Sequence, residues 1–360
     1  VFSGYRLLTR LAEVLRMSTM IEGDRIVLEP SDEYCHAPDA AENYNESMYF
    51  NVFDPARKVG GWLRLGNRVN EGYAELSACL YLPDGRVGFM FQRPKIDNND
   101  ELCAGGMRVE VVEPFRRLRV TYDGSVLLLS DPLEMAHPSR AFKNNPLVDC
   151  KVALDYRGIA PMYGGRPVRS DGSDVAVDPE KSFAKAHYEQ HVAATGSFDI
   201  GSEHWDLDGF GLRDKSWGPR YWQSISWYRW LPMNFGPDFG MMISVIGLEG
   251  GEPRRSGMVL RDGEYVTITD ARIESQWDAN WYQTRLRAWV ETDEREYDVE
   301  GEVVSMIPLR NRRKRDDGTD LVTRITEGMT RYTCDGRTGY GMSEYLDQIV
   351  DGRPVGPDAK

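Results

Sequence analysis

The chain has 360 residues, 41% of them hydrophobic and 11% aromatic, with a formal charge of −13 at pH 7. This composition excludes a disordered polymer, and the negative balance disfavours nucleic acid or an anionic membrane surface as partner. No apolar run approaches the roughly eighteen residues of a spanning helix, so no integral membrane segment is expected. Five cysteines (Cys35, Cys79, Cys103, Cys150 and Cys334) are odd in number and lack Cys-x-x-Cys spacing. They read as reduced, mostly structural thiols of a cytoplasmic protein.

Residues 5–16 carry Leu8, Leu11 and Leu15 at helical spacing and predict a short amphipathic helix within an N-terminal extension over 1–20. The extension lacks a long apolar core and a small-residue cleavage site, so it is a poor signal peptide; Met17 or Met20 is an alternative start. From Ile26 onward the punctuation is that of an antiparallel β-protein. Asp-Gly turns recur at Asp84-Gly85, Asp123-Gly124, Asp171-Gly172, Asp262-Gly263, Asp317-Gly318 and Asp335-Gly336. Residues 117–122 and 125–129 flank one of them as a hairpin. Partial period-2 alternation predicts further strands over 74–82, 86–92, 107–112, 150–156, 241–247, 265–274, 285–291 and 321–332. Residues 341–349 have some helical character.

The polar segment 166–181, rich in Gly, Asp, Ser and Pro, is the expected joint between two β-domains, over 21–175 and 176–350, with a tail at 351–360. The basic run 310–315 is followed at once by Asp316-Asp317-Gly318 and reads as a solvated hairpin tip.

The chemistry concentrates between 187 and 220. On a strand over 182–197, His187, Glu189 and His191 share one face, and Tyr188 and Gln190 the other. Same-face neighbours lie roughly 6.5–7 Å apart, close enough to couple electrostatically. A histidine beside a carboxylate is a proton donor near neutral pH, although a polar outer face on an edge strand has the same pattern. His-x-Glu-x-His offers metal-ligand types, but His36, His137 and His204 sit in no ligand spacing, so no metal is expected.

After a turn near 199–203 the chain returns through Gly209-Phe210-Gly211-Leu212-Arg213-Asp214-Lys215-Ser216-Trp217-Gly218-Pro219-Arg220. Pairing of the two arms brings His187 and Glu189 near Asp214. The cluster is either a polar plug at a barrel end or one wall of a pocket. Trp217, Tyr221, Trp222, Trp227, Tyr228 and Trp230 follow within fourteen residues. Such rings suit a core, a hydrophobic ligand, or a transient carbocation.

With these motifs the chain resembles the tandem lipocalin-like (calycin) superfamily of carotenoid hydratase (hydroxyneurosporene synthase), kievitone hydratase-like and AttH-like proteins. The resemblance rests on His187-Tyr188-Glu189-Gln190, on the Gly209 to Arg220 motif, on Tyr49-Phe50-Asn51-Val52-Phe53-Asp54-Pro55 and on Gly339-Tyr340-Gly341-Met342-Ser343-Glu344-Tyr345-Leu346. It implies an all-β chain of two packed antiparallel lipocalin-like barrels with few short helices. It also implies a cofactor-independent hydratase or dehydratase for a lipophilic, isoprenoid-like substrate. An isomerase or cyclase, or a non-catalytic carrier of a lipophilic small molecule, is the alternative. A homodimer is a candidate assembly. Family members commonly carry His where this chain has Lys215, and an unperturbed lysine is a poor acid at neutral pH. The expected catalytic groups are therefore Asp214, His187 and Glu189. Arg213 orients Asp214, and Trp217, Tyr188, Gln190, Arg220 and Trp222 complete the substrate site.

Overall fold

The computed structural model describes residues 24–248, 251–314, 318 and 320–358; the helix expected over 5–16 lies outside them. The first sheet holds β1 (Arg25–Val27), β2 (Tyr44–Asp54), β3 (Val59–Arg68), β4 (Tyr73–Tyr81), β5 (Val87–Gln92), β6 (Cys103–Ala104), β7 (Met107–Glu113), β8 (Arg117–Leu129), β9 (Leu147–Gly158), β10 (Tyr163–Val168), β11 (Ala186–Ile200) and β12 (Glu203–Pro219). Its pairing path runs β11-β12-β2-β3-β4-β5-β8-β9 and returns to β11, because β9 pairs with both β8 and β11. Closure removes the exposed sheet edges that invite aggregation.

The second sheet follows chain order: β13 (Trp227–Asn234), β14 (Phe239–Gly247), β15 (Arg254–Arg261), β16 (Glu264–Trp277), β17 (Gln283–Thr292), β18 (Glu296–Lys314), β19 (Asp320–Cys334) and β20 (Arg337–Val350). β13 pairs with β20, which closes an up-and-down barrel, and β21 (Arg353–Pro354) extends β20. The helix α1 (Pro138–Asn144) starts on a proline, whose missing N–H costs nothing in the first turn. The chain is thus all-β with two lipocalin-like barrels. Among the described residues no helix is long and apolar enough to cross a membrane.

Turn chemistry explains much of this order. Asp262-Gly263 and Asp335-Gly336 both have positive φ at each residue and join β15 to β16 and β19 to β20 as tight hairpins. Asp123-Gly124 does not turn. β8 runs straight through it, because its ladder with β9 is unbroken from Arg117 to Leu127 and pairs Gly124 with Cys150. The segment 341–349 is likewise strand, not helix. β20 is held on both sides, by β13 and β19, and Gly341 approaches so closely that a Cβ there would lie 1.9 Å from the Pro232 carbonyl oxygen.

Two compact units result. The first contains 24–80, Gly88–Leu127 and Leu147–Tyr221; the second contains Tyr81–Val87, Leu128–Pro146 and the chain from Trp222 onward. The segment 166–181 therefore lies inside the first unit, because β11 and β12 are needed to complete the first ring. The motifs expected in a second domain sit in the first for the same reason.

In the first unit the inner face of the barrel includes Val52, Leu63, Leu80, Leu154, Tyr156, Phe198 and Leu207, around a hollow too small for a water molecule. In the second, Leu231, Met233, Ile243, Val259, Leu286, Val290, Val299 and Tyr332 belong to one continuous buried core. All five cysteines are free thiols. Cys35 is pushed up to about 12, chiefly by burial and then by the Glu46 charge, which makes it a poor nucleophile. Arg312, Arg313 and Lys314 of the basic run are exposed.

Candidate active site

β11 and β12 pair without a slip from Ala186 opposite Trp217 to Ile200 opposite Glu203. Side chains alternate, so the hairpin carries two different polar faces. One face holds Tyr188, Gln190, Arg213, Lys215 and Trp217; the other holds His187, Glu189, His191, Asp214 and Ser216.

The glycines of the motif make the hairpin fit against β2. A Cβ on Gly209 or Gly211 would lie 2.1 or 1.8 Å from the carbonyl oxygens of Phe53 and Asn51. Gly218 has φ +106°, a conformation that L side chains rarely adopt, and abuts Lys185.

The Arg213 face points inward and is a satisfied ionic plug. Arg213, fully buried, donates from Nη1 and Nη2 to the two oxygens of Glu33 at 2.7 and 2.9 Å, and from Nε to Gln190 Oε1 at 2.9 Å. Glu33 also accepts from Tyr188 Oη at 2.8 Å and the Phe115 N–H at 2.7 Å. Gln190 Nε2 donates to the Phe115 and Ala160 carbonyls. Burial pushes the Glu33 carboxyl up, but Arg213 outweighs it and leaves the group below its ordinary value.

Beside it, Lys215 Nζ lies 2.9 Å from Glu46 Oε1 and donates to the carbonyls of Asp32 and Tyr34. Glu46 accepts further bonds from the His36 N–H and Nδ1, Tyr44 Oη and Asn99 Nδ2. Burial opposes the Glu46 charge, yet His36 and then Lys215 lower its pKa to about 2. Trp217 stacks on His36 with centroids 4.1 Å apart. Arg213 thus pairs with Glu33 and not with Asp214, and Trp217 faces away from Asp214. Both differences follow from strand parity. Lys215, lacking in acid character by sequence, is a structural cation here.

The opposite face is a grid. Across β11, β12, β2 and β3, one row reads His187, Ser216, Ser47, Gly66, and the next Glu189, Asp214, Tyr49, Arg64. In the third, His191 stands opposite Leu212 and Asn51 opposite Trp62, with the Leu212 N–H donating to Asn51 Oδ1 at 2.8 Å. Directly opposed side chains have Cβ atoms roughly 4.5–5.5 Å apart.

His187 Nε2 lies 3.9 Å from Asp214 Oδ2, with 35% and 23% of the two side chains exposed. Glu189, 3% exposed, is directly opposite Asp214. Burial works against a charged His187, and Arg220 opposes it weakly. The Asp214 carboxylate and then the Glu189 charge favour it more, so its pKa is raised. This is a half-open imidazole beside two carboxylates, an arrangement able to give and take a proton near neutral pH.

A hydrogen-bonded chain borders the grid. Arg220 Nη2 donates to Ser216 Oγ, which lies 3.3 Å from Ser47 Oγ; Asn45 Nδ2 donates to Ser47, and Arg64 Nη2 to Asn45. Arg64 and Arg93 in turn pair with Glu75. The aromatic wall beside Asp214 is Tyr49 and Trp62, stacked at 5.9 Å, rather than the 217–230 run. Trp222 belongs to the second unit, where its carbonyl accepts from Gln348. The sequence reading missed Tyr49, Trp62, Asn51 and Arg64. Tyr49 and Asn51 lie in the 49–55 motif, whereas Trp62 and Arg64 join them only through the pairing of β2 with β3. Among the described residues no group of three or more His, Cys, Asp or Glu side chains is placed to hold a metal ion.

A model of DUF7064, a domain of unknown function, matches residues 29–349. No curated protein matches the sequence. Among solved structures, a putative AttH from Nitrosomonas europaea superposes with a TM-score of 0.59 at 12% identity, covering 94% of this chain and 99% of that one. Kievitone hydratase from Nectria haematococca gives 0.52 at 10% identity, covering 89% and 93%. CghA with Sch210972 gives 0.50 at 13% identity, covering 85% and 89%. At these identities the likeness is one of fold: an AttH- and hydratase-like, lipocalin-type architecture.

Proposed function

The chain belongs to the DUF7064 family, and we propose that it is a cofactor-independent hydratase or dehydratase for a lipophilic, isoprenoid-like substrate. The observation that carries this reading is the convergence of His187, Asp214 and Glu189 on one half-open patch. The hydratase-like fold supports it.

In the hydration direction, His187 as imidazolium gives its Nε2 proton to one carbon of the double bond. A C–H bond forms and the neighbouring tertiary carbon becomes cationic. The stacked faces of Tyr49 and Trp62 stabilise that charge. Water adds to the cation, and Glu189 accepts the proton it releases. Asp214, opposite Glu189 and diagonal to His187 across the hairpin, holds the imidazolium and passes the proton back to His187. Dehydration is the same path reversed. Arg220 fixes the border of the patch through Ser216, while Arg213, Tyr188, Gln190 and Trp217 hold β12 in place from the other face.

The test is incubation of the purified protein with isoprenoid alkenes and tertiary alcohols in heavy-oxygen water. Label in the alcohol, lost in His187→Gln and Asp214→Asn, is the expected result. Product without label would instead mean an isomerase or cyclase, for which the same acid and ring faces serve. Tight binding without turnover, unchanged in both variants, would mean a carrier.

A further inference from the structure

Two buried donors on the catalytic face have no acceptor among the described residues: Asn51 Nδ2 and Trp62 Nε1. Asn51 is 0% exposed and Trp62 3% exposed. They stand directly opposite each other on β2 and β3, so both side chains project to the same face. The amide orientation is fixed, because Oδ1 must accept the Leu212 N–H. Buried donors are nearly always satisfied, and an unsatisfied pair side by side calls for an explanation.

We propose that Asn51 and Trp62 together bind one carbonyl oxygen of the substrate. An sp² oxygen has two lone pairs and no proton, which matches two N–H donors on directly opposed residues; a hydrocarbon or an ammonium group does not. The Trp62 ring that offers the N–H also stacks on Tyr49, which is opposite Asp214, so an oxygen held there positions the lipophile against the acid. The substrate class narrows from any isoprenoid-like hydrocarbon to a lipophile bearing a ketone, enone or ester oxygen. This deepens the proposed hydratase reading and rests on it.

The probe is β-ionone, an isoprenoid ketone, labelled with carbon-13 at its carbonyl, alongside its methylene analogue. Binding to the full chain is followed by titration and by isotope-edited infrared spectroscopy. The ketone is expected to bind at least about tenfold more tightly than the analogue, since the analogue leaves two buried donors unpaired. Its carbonyl stretch should move to lower frequency on binding. Trp62→Phe, which keeps an aromatic ring and removes the N–H, should lose about five- to tenfold more in ketone affinity than in analogue affinity and reverse part of the shift. Asn51→Asp keeps the acceptor for Leu212 and should act in the same direction.

Equal affinities, no ketone binding, or a bound carbonyl at its frequency in hydrocarbon solvent would overturn the proposal. Its failure is distinguishable from that of the hydratase reading. Asp214→Asn and His187→Gln test turnover, and both should retain ketone affinity and the infrared shift.

Discussion

Arg213 and Asp214 are consecutive residues that face opposite sides of β12. The guanidinium closes a bidentate pair with Glu33 inside the barrel, while the carboxylate stands 3.9 Å from His187 on the outer face. One pleat therefore separates a group that maintains the fold from the group proposed to react. Mutations at the two positions should have different consequences.

Breaking the inner pair should unfold the protein before it alters any chemistry. Glu33→Gln leaves a fully buried guanidinium without its counter-charge, and such losses typically cost about 3–5 kcal/mol. A loss of unfolding free energy of that order is expected in a urea titration. Because the two groups act as one unit, the pair Glu33→Gln, Arg213→Met should cost less than the sum of the single changes, as a double-mutant cycle would measure.

On the outer face the order reverses. His187→Gln and Asp214→Asn remove half-open groups and should shift the unfolding midpoint little. Turnover should fall by about 10²–10⁴-fold, the usual worth of a positioned acid or base. Wild-type turnover in a folded Asp214→Asn protein would remove the residue from the mechanism.

The raised His187 pKa fixes the sign of two pH effects. An imidazolium acid works below its folded value, so the hydration rate should fall as pH rises through that raised value. Its contribution to stability has the same sense: fully present below the ordinary 6.5, and lost as pH rises through the folded value. Rate profiles and thermal melts from pH 5 to 9 on wild type and His187→Gln, each range chosen to bracket roughly the histidine window, would show the difference.

Glu46 predicts the opposite window. Its carboxyl is lowered from 4.5 to about 2, so the stability it supplies is present above 4.5 and drains away as pH falls towards 2. Acid titration of the folded state should show this loss in wild type, and Glu46→Gln should show a lower stability at neutral pH with a flatter acid limb.

Gly211 offers a purely steric test. A Cβ there meets the Asn51 carbonyl oxygen at 1.8 Å, so Gly211→Ala must push β12 away from β2. Loss of folded yield is expected. Gly263→Ala, at a turn with open space around it but φ +86°, should cost only about 1 kcal/mol in a denaturant titration.

By itself, the sequence determined the all-β class, most strands and the hairpin that brings His187 and Glu189 to Asp214, because alternation and Asp-Gly turns are local properties. It also placed His187 and Glu189 on one face, since parity needs no partner strand. Local signals misled at Gly124 and at 341–349, where ladders on both flanks overrode turn and helix tendencies. Only the tertiary structure decided which neighbours each face meets. Glu33 reaches Arg213 from 180 residues away, and Tyr49, Asn51 and Trp62 join the site through the register of β2 and β3. Such meetings depend on barrel closure, and closure is set by the summed pairing of distant strands, which no short window of sequence contains.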